Sequence, residues 1–127
     1  MRKSVILDVN PDPDALHWEE DWLGRQDVDV VRCRGPHAPN DCPLLEGKAC
    51  GKIAKADGIL FQLNLERSDH RQILKTYSEI LDIPIRAVVS EADRDRYRDL
   101  LTEVEVVTPP MGPAGLDAFA AEVESGV

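Results

Sequence analysis

A chain of 127 residues falls in the size range of one domain and can bury a core without metals or disulfides. Asp and Glu total 24 against 15 Lys and Arg, and the net charge of -9 disfavours binding to nucleic acid or to anionic membrane surfaces. The first residues hold too few apolar side chains for a signal peptide or a membrane span, so we expect a cytoplasmic protein.

The amino-terminal part of the chain predicts two strands separated by a helix. A short apolar run predicts a strand over Val5–Val9, followed by a turn. Asp12 is expected to cap a helix that begins at Pro13 and ends at Gly24, because proline suits the first helical position and glycine ends helices. The next apolar run predicts a second strand over Val28–Val31.

The middle of the chain predicts a loop, a weak helix and a buried strand. Arg34–Leu45 carries three prolines, which regular elements do not tolerate. Glu46–Ala56 predicts a short helix interrupted by glycines. Gly58–Leu65 is the most hydrophobic strand candidate, and Gln62 stands inside it.

The carboxyl-terminal part of the chain continues the alternation of helices and strands. Ser68 is expected to cap a third helix, whose apolar residues recur at helical spacing. The fourth strand is predicted over Ile83–Val89, after which Ser90 caps another helix. The fifth strand is predicted over Glu103–Val107, and Pro113 begins the last helix.

Five alternations of strand and helix predict an α/β fold in which helices cover both faces of a parallel sheet. We expect one domain over residues 1–127, with no linker inside it. In such sheets ligands and chemistry gather at the carboxyl ends of the strands. The residues at those ends are Asp8, Val9, Asn10, Cys33, Gln62, Asn64, Glu66, Ser90 and Thr108.

The order of these residues resembles a response-regulator receiver domain over nearly the whole chain. The stretch VILDVNPD is similar to the family's first strand, and LFQLNLE is similar to the family pattern LLDLNLP. Ser90 matches the Thr or Ser that ends the fourth strand, and Pro109-Pro110 approximates the Lys-Pro after the fifth. The resemblance implies a flavodoxin-like, CheY-like three-layer fold with a five-stranded sheet in the order 2-1-3-4-5.

The resemblance also implies that the family's phosphorylation chemistry is lost. Gln62 corresponds to the phosphoacceptor aspartate, and a carboxamide is not a nucleophile for phosphoryl transfer. Asp8 is kept, but Val9 replaces the second acid that would help to hold Mg²⁺. Thr108 or Pro109 replaces the lysine that would pair with the phosphoryl group. We expect a degenerate receiver that binds no cofactor, with Mg²⁺ binding disfavoured.

Such a module would be a non-enzymatic signalling protein that contacts a protein partner or binds a ligand at the edge formed by Asp8, Gln62 and Ser90. Each of these residues also has a structural interpretation: Gln62 as a buried amide bonded within the core, Asp8 as a turn residue and Ser90 as a helix cap.

By the same resemblance, a homodimer is expected through the fourth helix, the fifth strand and the fifth helix. That face corresponds to Asp93–Leu101, Glu103–Val107 and Leu116–Val123.

A Cys/Pro-rich insertion at about residues 33–50 holds Cys33, His37, Cys42 and Cys50. The spacing C-x3-H-x4-C-x7-C is compatible with a zinc site, although no C-x2-C pair is present. Cys42 and Cys50 could instead form a disulfide that Cys33 resolves, or all three could be unconnected thiols. A redox or zinc sensor on a flavodoxin-like scaffold is therefore the alternative function.

A small flavodoxin-like enzyme that acts on a nucleotide or sugar is the third hypothesis, although no glycine-rich phosphate loop or acidic dyad supports it. Trp18 and Trp22 lie four residues apart and predict core packing, whereas His17 and His70 are expected on solvated helix surfaces.

Overall fold

A computed structural model describes residues 3–35, 42–48, 50–109 and 111–125 of the protein. The strands are β1 (Ser4–Val9), β2 (Val28–Cys33), β3 (Gly58–Phe61), β4 (Ile85–Val88) and β5 (Glu105–Val107). The helices are α1 (Pro13–Gly24), α2 (Gly51–Ala54), α3 (Ser68–Ile80), α4 (Glu91–Arg96) and α5 (Pro113–Ser125), and a 3-10 helix covers Pro43–Glu46.

The five strands form one parallel sheet in the order β2-β1-β3-β4-β5, which confirms the predicted α/β fold and strand order. In this order the chain first moves from β1 to one neighbour, β2, and then crosses back to the other, β3. The carboxyl ends of β1 and β3 therefore lie at the point where strand order reverses. Asp8 sits there, paired with Arg32 of β2 and Leu60 of β3.

Successive residues of β1 send their side chains to opposite faces of the sheet. Leu7 and Val9 belong to the core cluster that contains Ile73 of α3, whereas Ile6 belongs to the cluster that contains Phe119 of α5. Asp8 lies two residues after Ile6 in the strand, so its side chain projects toward the same face of the sheet, which α1 and α5 cover.

The third strand is shorter than predicted, because β3 ends at Phe61 and not at Leu65. Leu63 and Leu65 remain buried in the loop beyond it, which explains why the apolar run is longer than the strand. The prediction that Ser68 caps the third helix is wrong. Arg67 occupies the cap position without a side-chain hydrogen bond, and Ser68 is the first helical residue.

The expectation of core packing is confirmed for Trp22, which packs against the cluster that contains Phe119. It is wrong for Trp18, which stacks on Trp22 with ring centroids 6.4 Å apart but is 43% exposed. The expectation of a solvated side chain is wrong for His70. His70 is buried, and its Nδ1 accepts a hydrogen bond from the Asn64 backbone N–H, so this α3 side chain anchors the loop after β3. No described helix is long and apolar enough to cross a membrane.

Candidate functional site

Three side chains from three elements meet at the carboxyl ends of β1 and β3. Asp8 comes from β1 and is 0% exposed. Gln62 directly follows β3, and its backbone N–H donates to the Val9 carbonyl at 2.8 Å, which extends the pairing of the two strands. Glu19 comes from α1 and is 4% exposed. We call Asp8, Glu19 and Gln62 the polar cluster.

The Gln62 carboxamide holds the polar cluster together. Its Nε2 donates to Asp8 Oδ1 at 3.2 Å and to Glu19 Oε1 and Oε2 at 3.0 and 2.9 Å. Asn10 Nδ2 lies 3.5 Å from Glu19 Oε1. One neutral amide therefore bridges two buried carboxyl groups.

Burial raises the pKa of Asp8 from 3.8 to about 9, and Glu19 adds to the rise by accepting a hydrogen bond and by its charge. The Gln62 amide and the more distant Arg32 guanidinium act in the opposite direction but do not outweigh burial. Asp8 Oδ2 is buried and accepts no hydrogen bond from a described group. Asp8 is therefore protonated at neutral pH, which avoids a second uncompensated charge beside Glu19.

Glu19 is not among the predicted site residues, because the acidic sequence HWEED around it has the character of a solvated helix face. The buried residues of α1 are Leu16, Glu19 and Leu23, which recur at spacings of three and four. That spacing places Glu19 on the inward stripe of the helix. An acid inside an apolar stripe is the signal that could have identified it.

The structure brings together only part of the predicted strand-end site. Asn10 joins it through Glu19 and also holds the turn into α1, where Asn10 Oδ1 accepts from the Asp12 backbone N–H. Val9 packs on the opposite face of the sheet, in the cluster with Ile73.

Three other predicted strand-end residues either make local hydrogen bonds within turns and helix caps or lie exposed at the surface. Asn64 Oδ1 accepts from the Glu66 backbone N–H, and Ser90 Oγ accepts from the Asp93 backbone N–H at 3.2 Å, as a helix cap. Thr108 is exposed. Pro110 lies outside the described residues.

A shallow groove of about 450 Å³ lies beside the polar cluster. Glu19 and Gln62 form part of it, together with the exposed ring of Trp18 and the acidic residues Asp12 and Asp14. The remaining lining residues are Ala15, Val88, Pro109 and Met111. The groove therefore combines an aromatic surface with carboxylates at the carboxyl edge of the sheet.

The cysteines lie on the other face of the sheet. Cys33, Cys42 and Cys50 are free thiols, each partly buried, and all three line one cavity of about 550 Å³. Burial raises the pKa of the Cys42 thiol, and the neighbouring Cys33 and Cys50 contribute to the rise. No three His, Cys, Asp or Glu residues of the described ranges are arranged to hold a metal. His37 lies outside those ranges.

No family model matches the chain, and no curated protein matches it. Solved structures do match it. The signal receiver domain of a signal transduction histidine kinase from Syntrophus aciditrophicus is 16% identical, with a TM-score of 0.70 over 98% of this chain and 92% of that one. The chemotaxis protein CheY4 of Vibrio cholerae is 14% identical, with a TM-score of 0.66 over 96% of this chain and 99% of that one.

The BeF3-activated N-terminal receiver domain of RstA from Klebsiella pneumoniae is 18% identical, with a TM-score of 0.67 over 94% of this chain and 98% of that one. At these identities the likeness is one of fold. The chain has the five-stranded, CheY-like fold of response-regulator receiver domains.

Proposed function

We propose that this protein is a receiver-like signalling module that works without aspartyl phosphorylation and acts by contact with a protein partner. The observation that carries the proposal is the Gln62 Nε2 group, which donates to Asp8 and to Glu19 at the end of β3. By resemblance, this is the place where a receiver presents its phosphoacceptor carboxylate.

The chemistry of the polar cluster supports the proposal. A carboxamide has no anionic oxygen with which to attack a phosphoryl donor, and Asp8 is buried and protonated. Mg²⁺ prefers anionic oxygens in octahedral order, whereas here an amide N–H donor faces both carboxyl groups and the raised pKa of Asp8 keeps that group uncharged. The residues present do not fit the ion, and we derive no step that uses it.

The position of the groove supports contact at the carboxyl edge of the sheet. Asp12 and Asp14 make its rim acidic, and the exposed Trp18 ring offers a surface on which a cation can stack. We therefore propose a partner that presents a basic side chain to the groove.

The test of phosphorylation independence is incubation with acetyl phosphate and Mg²⁺, followed by intact-mass measurement. A receiver domain with an unaltered phosphoacceptor aspartate serves as the parallel control. We expect the control to gain one phosphoryl group and this protein to gain none. A phosphoryl group mapped to Asp8 or another acid of the cluster would refute the proposal.

A homodimer through α4, β5 and α5 is a further proposal about partners. α5 buries Leu116, Phe119 and Val123 in the core, so other residues of this helix form its outer face. Half-buried apolar side chains on this face include Tyr97, Leu100, Val104 and Val106. Sedimentation velocity across a concentration series tests this proposal, and a concentration-independent monomer would exclude it.

The second candidate function is thiol sensing, which is favoured by the finding that all three free thiols line one cavity. A redox sensor would lose reactive thiols reversibly under mild oxidant, and a zinc sensor would be purified with stoichiometric metal. Three persistent free thiols without metal would exclude both forms.

The third hypothesis, a small enzyme, is not favoured by the site. The structure reveals a carboxyl pair, Asp8 and Glu19, that the sequence had not predicted. Asp8 is fully buried, and both oxygens of Glu19, which is 4% exposed, already accept hydrogen bonds from Gln62. We assign no catalytic residue.

A further inference from the structure

The cysteine-lined cavity lies between the sheet, α3 and the connection from β2 to β3. Its volume of about 550 Å³ is within the size range of small-molecule sites. Of the described residues of this connection, α2 contributes one buried side chain, Ile53, and the 3-10 helix contributes none. These two short elements leave the cavity between the sheet and α3 unfilled.

The inner wall of the cavity is apolar. Leu7 and Val9 of β1 and Ile73 of α3 are fully buried, and the buried ring of Tyr77 lies beside them. The three thiols continue this wall. Because burial raises the pKa of Cys42, its sulfur is neutral at pH 7 and behaves as a soft apolar group.

The rim of the cavity carries positive charge. Arg34, Lys52 and Lys55 line the cavity and are exposed, whereas no described lining residue is a carboxylate. Lys52 Nζ donates to the Arg32 carbonyl at 2.8 Å, which holds its charge near the opening. In a chain with 24 acidic and 15 basic residues, this separation of charges gives a local anion-attracting surface.

We propose that this cavity binds an apolar monocarboxylate of medium chain length. The hydrocarbon chain would lie against the partly exposed side chains of Val31, Cys33 and Cys50, where burial of apolar surface provides the driving force. The carboxylate would remain at the solvated rim near Arg34 and Lys55, so that it is paired without being fully desolvated. This site is on the opposite face of the sheet from the polar cluster and does not depend on the function proposed above.

The ligand test uses decanoate, its uncharged analogue decan-1-ol and the cation decyltrimethylammonium, all below their aggregation concentrations. Affinities are measured by isothermal titration calorimetry. In parallel, the reaction of the three thiols with Ellman's reagent is followed, since every cysteine of the chain lines the cavity. We expect decanoate to bind more tightly than the alcohol, the cation to bind least, and saturating decanoate to slow thiol modification.

Two matched pairs of variants locate the site. At Gly51, which lines the cavity, an added Cβ meets no atom within 4 Å, so Gly51→Leu can occupy the space without a clash. We expect it to weaken decanoate binding about tenfold, which corresponds to the loss of one or two buried CH₂ contacts. Gly24→Leu, at the end of α1 and equally unobstructed, is the control and should leave the affinity unchanged.

The second pair tests the rim. Lys55→Glu should weaken decanoate binding about fivefold, the size expected when a partly exposed charge pair is reversed. Lys75→Glu makes the same charge change on the exposed surface of α3, away from the cavity lining, and should have no effect.

Equal affinities for decanoate, decanol and the cation would overturn the proposal. So would an unchanged rate of thiol modification at saturating decanoate. A folded Gly51→Leu protein, checked by circular dichroism, that binds decanoate as tightly as the original chain would also overturn it.

Discussion

The polar cluster and the cysteine-lined cavity lie on opposite faces of the same strand, β1, and are covered in opposite ways. Asp8 faces α1, a full helix that supplies Glu19, and a bridging amide fills the space between them. Leu7 and Val9 face the side where α2 has one turn, and a hollow remains. The difference follows the length of the neighbouring helix, because the full helix α1 supplies a side chain to the polar cluster, whereas the one-turn α2 leaves a cavity beside it.

Substitutions in the two regions should differ in how much they lower the free energy of unfolding. Changes in the polar cluster disturb buried charge and hydrogen bonds, and we expect them to cost stability. Changes around the cavity remove few contacts, and we expect them to be tolerated. Unfolding measurements on variants of each region test that contrast.

The largest expected effect is a pH dependence of stability that originates at Asp8. Its pKa is raised in the folded protein, so the folded state holds a proton that the unfolded state releases above about pH 4. The free energy of unfolding should therefore fall as pH rises from about 4 to about 9, by up to about 1.4 kcal/mol per pH unit.

Asp8→Asn removes the titrating group and retains the shape, and its amide can donate toward Glu19. Urea unfolding of both proteins across this pH range isolates the Asp8 contribution as the difference between them. The variant should lack the slope and should be the more stable protein at the alkaline end. Parallel pH profiles for the two proteins would contradict the assignment of the proton to Asp8.

The next largest effect is expected for Gln62→Glu, which replaces the bridging amide with a third carboxyl group of the same shape. Losing the donor and adding charge beside Glu19 should cost about 3 kcal/mol of unfolding free energy at neutral pH. Gln72→Glu on the exposed surface of α3 is the matched control and should change stability by less than about 0.5 kcal/mol. Equal costs for the two variants would mean that Gln62 does not bridge the cluster.

A smaller effect is expected for Ser90→Ala, at the same edge of the sheet but outside the polar cluster. Because Ser90 Oγ caps α4, its loss should cost about 1 kcal/mol in thermal or urea unfolding. Ser68→Ala, where no capping hydrogen bond exists, should be close to neutral. A greater cost for Ser68 than for Ser90 would show that the caps are assigned to the wrong residues.

The smallest effect is expected on the open face, for Cys50→Ala. The thiol is partly exposed beside unfilled space, so its truncation should cost less than about 1 kcal/mol. Urea unfolding under reducing conditions measures it. A cost as large as that of Gln62→Glu would show that this face is sealed as tightly as the other.

The fold could be predicted largely from local patterns. The cap at Asp12, the proline at the start of α1 and the apolar runs of β1 and β2 are short-range signals, and each marks an element that the structure contains. The end of β3 could not be predicted in this way, because Leu63 and Leu65 are buried by packing and not by strand pairing.

The site could be predicted only in part. Asp8 lies near the end of β1 and Gln62 directly follows the adjacent strand β3, so topology was enough to bring them together. Glu19 was missed because the inward direction of one helical acid depends on how α1 packs, which the charge pattern alone does not reveal. The cavity was not predicted either, since a hollow is a property of packing and not of any motif.

The most direct test of the central claim is a titration of the ¹⁵N-labelled protein with beryllofluoride and Mg²⁺, followed by amide spectra. Because Gln62 already bridges Asp8 and Glu19, we predict that the Gln62 side-chain amide and the backbone amides around β1 and β3 keep their shifts. Saturable shifts at Asp8 and Gln62, of the kind that accompany binding, would contradict the account of a closed, phosphorylation-independent site.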